Sequence, residues 1–98
     1  MKYLISLKHT RKLDPYFTLW RAKNAGYCMS LENAGLYETI EQGYHDGDGV
    51  LPVDAEIIDR MGGQVMYDGE LKTMVPQNRY TLAELGIKQT TKGLIKLS

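Results

Sequence analysis

Residues 2 to 8 alternate in polarity, with Tyr3, Ile5 and Leu7 on one side and Lys2, Ser6 and Lys8 on the other. A period of two is the mark of a strand with one face in a core, so the chain must supply further strands and a cover for that face. After the break at Asp14-Pro15, residues 16–21 (Tyr-Phe-Thr-Leu-Trp-Arg) are rich in aromatic and β-branched types and read as a second strand. Asn24-Ala25-Gly26 offers a turn before a third short strand at residues 27–31. These three strands are expected to form an antiparallel meander.

Further along, Asn33 is placed to cap a helical stretch through Gln42, weakened by Gly35. Residues 43–49 hold three glycines and two aspartates and read as an exposed, flexible loop. Residues 54–61 follow Pro52-Val53, carry acids in the first turn and stop at Gly62-Gly63, which gives a helix both its start and its end. Its Ile57, Ile58 and Met61 are expected to cover the apolar side of the first strand. Asp68-Gly69, between residues 64–67 and 70–75, is the signature of a two-residue hairpin. A short helix at 81–85 stopped by Gly86, and an edge strand at 93–97 lying beside the first, complete the expectation. The fold class is therefore α+β: a small antiparallel sheet, as a three-stranded meander plus a hairpin, packed with one or two short helices. With 98 residues the chain is read as one domain spanning 1–98.

Net charge is zero, yet the charges are segregated. Residues 1–30 carry Lys2, Lys8, Arg11, Lys12, Arg21 and Lys23 against Asp14 alone; residues 31–70 carry ten acids against Arg60 alone; the remainder is basic again. Two faces of opposite potential, or complementary packing inside the fold, both account for this pattern. The apolar runs are a few residues long, far short of the roughly 20 that cross a bilayer. Charged groups from Lys8 to Lys12 stand where a signal peptide needs its cleavage site, so a cytoplasmic location is expected. Cys28 is the single cysteine, which rules out an internal disulfide and a cysteine-based zinc site.

The candidate binding residues are Lys8, His9, Arg11 and Lys12, a basic run leaving the first strand, with Tyr16, Trp20 and Arg21 as neighbouring aromatic and cationic groups. Rings beside cations are the parts of a surface that stacks bases and neutralises phosphates. His9, His45, Asp46 and Asp48 are metal-ligand types, but residues 46–49 lack the spacing of a calcium loop and are better explained as a turn. Cys28 sits mid-strand without a nucleophile signature, and Gly47-Asp48-Gly49 lacks the lysine and spacing of a phosphate loop. No enzyme activity, cofactor or metal is expected.

Residues 4–10 (Leu-Ile-Ser-Leu-Lys-His-Thr), then Asp14, Tyr16, Thr18, Trp20-Arg21, residues 24–27 (Asn-Ala-Gly-Tyr) and 34–37 (Ala-Gly-Leu-Tyr), resemble a group of small proteins encoded by bacteriophages and prophages. The resemblance covers about the first 40 residues and, more loosely, residues 50–61. That group has no assigned chemistry, so no residue role transfers. By analogy with other phage accessory proteins such as anti-CRISPR proteins, the resemblance implies a partner that is a host protein or protein complex, for instance an antiviral defence system. The alternative is a nucleotide or single-stranded nucleic-acid ligand held by the basic aromatic face.

Overall fold

The computed structural model describes residues 1–97. Four antiparallel strands form the main sheet: β1 (Lys2–Ser6), β2 (Thr18–Trp20), β3 (Tyr27–Cys28) and β4 (Val50–Asp54), in the order β3-β2-β1-β4. The meander expected from the first thirty residues is present. Helix α1 (Ala55–Met61) follows β4 directly, and β5 (Gly63–Tyr67) and β6 (Glu70–Met74) form the hairpin. Asp68 and Gly69 hold φ of 52° and 77°, as a two-residue turn between twisted strands requires. Helix α2 (Arg79–Leu85) begins in a capping box of Asn78 with Thr81 and ends at left-handed Gly86. A second hairpin, β7 (Ile87–Thr90) with β8 (Gly93–Lys96), closes the chain.

The alternation in β1 sorts two cores. Tyr3, Ile5 and Leu7 pack with Leu19, Val53 and the fully buried Ile58 of α1, while Ile57 and Met61 lie partly buried against them. The helix thus covers the side of β1 expected of it. The opposite side is also covered: Leu4 packs with Trp20, Tyr37 and Val50, and Ser6 is 1% exposed. β1 is therefore a central strand buried on both faces, and the polar side read for Ser6 does not exist.

Several expectations are corrected. Residues 33–42 form no helix, because Gly35 N donates to Trp20 O (2.9 Å) and Tyr37 exchanges backbone bonds with Lys2 (2.7 and 2.9 Å), which draws the backbone out along the sheet. Residues 50–54 are more than a lead into the helix. They pair with all of β1, and Pro52 is tolerated because β4 is an edge. The strand read at 93–97 lies against β7, since β2 and β4 already occupy both sides of β1. The third strand stops at Cys28, after which Ser30 bridges to Met74. Within the stretch 43–49, read as exposed and flexible, His45 is only 6% exposed.

Candidate binding cleft

β1 ends at Ser6 because its polar groups fold the next residues into a turn. Ser6 Oγ accepts from His9 N (3.1 Å), and Thr10 Oγ1 donates to Ser6 O (2.6 Å) while accepting from Thr18 N (2.9 Å). The turn sets His9 beside β3, where its ring lies on Tyr27 with centroids 4.0 Å apart and planes 31° from parallel. Its Nδ1 is 2.9 Å from Ser6 Oγ. Ser6 acts here as a positioning group: it is buried, and its contact with His9 is a local turn bond.

Tyr27 meets Trp20 edge-on at 5.9 Å, and Trp20 meets Tyr44 at 5.4 Å and His45 at 5.6 Å in the same manner. Tyr37 joins His45 at 5.0 Å. Edge-to-face contacts of this kind each add about 0.5–1.5 kcal/mol beyond burial in measured aromatic pairs. His45 is fixed from both ring nitrogens. Glu41 N donates to Nδ1 (2.8 Å), so Nε2 carries the proton and donates to Asn24 Oδ1 (2.9 Å). Neither ring nitrogen of His45 thus keeps a free lone pair.

Where these rings reach the surface they line a cleft of about 230 Å³, bounded by Ser6, Lys8, His9, Trp20, Tyr27, Tyr44 and the glycines of the 47–49 turn. Tyr27 and Tyr44 are 42% and 49% exposed, whereas Trp20 is 9% exposed. Trp20 Nε1 is buried with no hydrogen-bond partner. Such an atom costs roughly 1–3 kcal/mol unless something accepts from it. Lys8 supplies the cation of the cleft wall, and Lys96 Nζ reaches Asp46 O (3.0 Å) on the same turn, whose Gly49 O accepts from Leu7 N and Lys8 N. Among the described residues the ion pairs are Lys2 with Asp54 (2.6 Å) and Lys72 with Glu70 (3.3 Å), so no carboxylate of the described residues contacts Lys8 or Lys96.

The structure brings together Lys8, His9 and Trp20 from the expected set and leaves the others apart. Arg21 lines a neighbouring recess with Thr18, Tyr27, Cys28, Met29, Asn33 and Tyr67, so Tyr27 is the ridge between two hollows. Arg11 and Lys12 belong to a loop tied to the C-terminal half, with Gln77 Nε2 on Arg11 O (2.9 Å) and Gln89 Nε2 on Lys12 O (3.0 Å). Tyr16 bridges to Pro76. Tyr44 was not among the expected residues; an aromatic pair inside a glycine-rich loop, Tyr44-His45, was the available signal. Cys28 is buried, its thiol donates to Ser30 O (3.5 Å), and burial raises its pKa, all of which disfavours the thiolate. Among the described residues no helix is long and apolar enough to cross a membrane. Comparison of the chain with models of known protein families, with curated proteins and with solved structures returns no match.

Proposed function

We propose that this chain is a non-enzymatic binding protein whose cleft takes a phosphate-bearing ligand with a planar ring, either a nucleotide or single-stranded nucleic acid. The observation that carries this reading is the run of rings His9, Tyr27, Trp20 and Tyr44 opening beside Lys8. A base stacks on an exposed Tyr or His face, and the adjoining cation meets its phosphate. The buried Trp20 Nε1 is a donor that a carbonyl-bearing base would satisfy. Trp20 is the chain's single tryptophan, so its emission reports the site directly. Titration with an oligothymidylate and a nucleotide panel should quench that emission. With Lys8 and Lys96 offering one or two phosphate contacts, the slope of log K against log salt should be about −0.7 to −1.4 for a single strand. Tyr27→Ala and Lys8→Ala should weaken binding separately. No quenching at millimolar ligand, or binding indifferent to salt, would refute the reading.

A second reading is a phage-derived protein that binds a host protein complex, such as an antiviral defence system, and inhibits or redirects it. It is favoured by the sequence resemblance and by a groove between α1 and α2. There Tyr80, 82% exposed, stands with Arg60, Ile57, Met61 and Asn78. Tyr and Arg are the residue types that dominate binding energy at protein interfaces. Expression in defence-bearing bacteria should then restore phage plating, and Tyr80→Ala should abolish both that effect and recovery of the host complex. Plating unchanged by the parent protein would remove this reading.

A further inference from the structure

A β-hairpin has two edges, and in β5–β6 they are treated differently. The β6 edge is covered: Thr73 O accepts from Leu31 N (2.8 Å), and Thr73 N donates to the Glu32 carboxylate (2.8 and 3.1 Å), which also accepts from Thr73 Oγ1 (2.7 Å). Thr73 therefore spends both backbone groups away from β5. Its partner across the hairpin is Gln64, so Gln64–Thr73 is a pair without ladder bonds, and by the alternation of an antiparallel ladder so is Met66–Leu71. The N–H and C=O of Gln64 and Met66 consequently face the open side of β5. Among the described residues no backbone or side-chain bond from another element meets them.

Other sheet edges of the molecule carry protection of the kind that keeps strands from pairing with foreign chains. β3 is two residues long, β4 contains Pro52, β7 carries Lys88 and β8 carries Lys96. β5 reads Gly-Gln-Val-Met-Tyr, with neither charge nor proline. We infer that β5 pairs with β5 of a second copy of this chain, antiparallel about a two-fold axis at Val65. This arrangement is self-complementary: Gln64 and Met66 of each copy face Met66 and Gln64 of the other, which satisfies all four outward groups of each strand. It also sets Tyr67, 42% exposed, across from Gly63 of the other copy, where nothing lies within 4 Å of the missing side chain. An aromatic ring over a cross-strand glycine is a stabilising sheet contact. Met66 and Leu71, 69% and 56% exposed, share the face that the four-stranded sheet would extend.

The paired strands alone are smaller than a standard interface, so the dimer belongs to the weak class, populated between micromolar and millimolar protein. Sedimentation velocity across that range should show a concentration-dependent dimer. Met66→Pro removes one outward donor per copy without touching a β5–β6 bond, and should weaken dimerisation by about tenfold or more with the circular dichroism of the fold retained. In a Cys28→Ser background, Val65→Cys places two thiols across the axis. Oxidation should then link two chains, and Gln64→Cys should link them far less. A chain that stays monomeric at millimolar concentration, or a dimer that survives Met66→Pro, overturns the inference. So does a dimer that Val65→Cys fails to link, or a monomer that pairs β5 with an extended segment of a different protein. None of these results depends on the aromatic cleft, which is read by Trp20 emission.

Discussion

Replacing Gly35 with alanine probes how the cleft is attached to the sheet. A Cβ at Gly35 would lie 2.4 Å from both Cα and N of Ala22 and 2.8 Å from C of Arg21. All three are backbone atoms, so no side-chain rotation relieves the overlap, and the two segments must part by about 1.2 Å to reach ordinary contact near 3.6 Å. That movement strains the Gly35 N to Trp20 O bond (2.9 Å) and the Tyr37 hydroxyl, which accepts from Asn24 N (3.0 Å) and donates to Arg21 O. Overpacking of this kind costs about 1–3 kcal/mol and each lost hydrogen bond about 1 kcal/mol, against a gain of about 0.5 kcal/mol from the stiffer unfolded chain. The net loss is about 3 kcal/mol, which lowers Tm by about 12 to 24 °C in a domain of this size. Scanning calorimetry measures it, and Trp20 emission should shift even below the transition, because Tyr37 and His45 pack behind that ring. Gly63→Ala, with nothing within 4 Å, is the control and should change Tm little. A Gly35→Ala protein melting within about 3 °C of the parent would refute the reasoning.

Ile58→Ala should cost about 3 kcal/mol by urea denaturation, since the side chain is fully buried against β1 and a cavity remains; a loss below about 1 kcal/mol would mean that α1 does not seal that face. Glu32→Gln tests a carboxylate whose pKa is lowered by hydrogen bonds from Thr73 Oγ1 and N. Because the folded value lies below the unfolded one of about 4.3, its stabilisation is present above that pH and is lost as pH falls through the folded value. The variant should therefore be less stable than the parent at pH 7, with the gap closing in acid; a gap that widens in acid contradicts the assignment. Burial raises the Cys28 thiol, so its reaction with a disulfide reagent at mildly alkaline pH should be at least about tenfold slower than in urea. Equal rates in the two states would show that the thiol is accessible in the fold.

The elements legible in the sequence were those specified by neighbours along the chain. The Asp68-Gly69 turn and the stop at Gly86 act within a few residues and stand where that local physics puts them. The alternation of residues 2–8 marks a strand at 2–6, though one buried on both faces, and the run at 54–61 marks a helix at 55–61, though Asp54 makes no side-chain cap bond and Gly62 is extended. Most of the missed elements are those decided at a distance. Residues 50–54 are a strand because β1, far back in the chain, offers them a ladder. Residues 87–90 are the exception: their partner β8 starts at Gly93, whose φ of 123° marks a tight local hairpin. Residues 33–42 hold acceptable helix formers, but Lys2 and Trp20 bond their backbone first, and a tertiary ladder outweighs a weak propensity interrupted by Gly35.

The same division explains the cleft. A basic run beside aromatics drew attention to residues 8–21, yet a strand sends alternate side chains to opposite faces, and a turn redirects the residues beyond it. Lys8 and His9 leave β1 through the Ser6 turn toward Trp20, whereas Arg11 and Lys12, two residues further, are carried round to Gln77 and Gln89. Proximity in sequence was therefore a poor guide to which cations share a site. Lys96 comes closer to Lys8, through the turn at residues 46–49, than its 88-residue separation suggests. That turn belongs to the acidic middle of the chain, but its contacts with the two lysines are made by the carbonyls of Asp46 and Gly49. The Asp46 carbonyl holds the Lys96 ammonium group without cancelling its charge, whereas Gly49 O accepts from the backbone N–H of Lys8, whose side chain lines the cleft. Of the chain's lysines and arginines, Lys8 lines the ring-lined hollow, and Lys96 lies one hydrogen bond from the adjoining turn. If Lys96→Ala reduces the salt dependence of ligand binding by the same increment as Lys8→Ala, both cations serve one site; an unchanged slope would place Lys96 outside it and leave Lys8 as the sole phosphate contact.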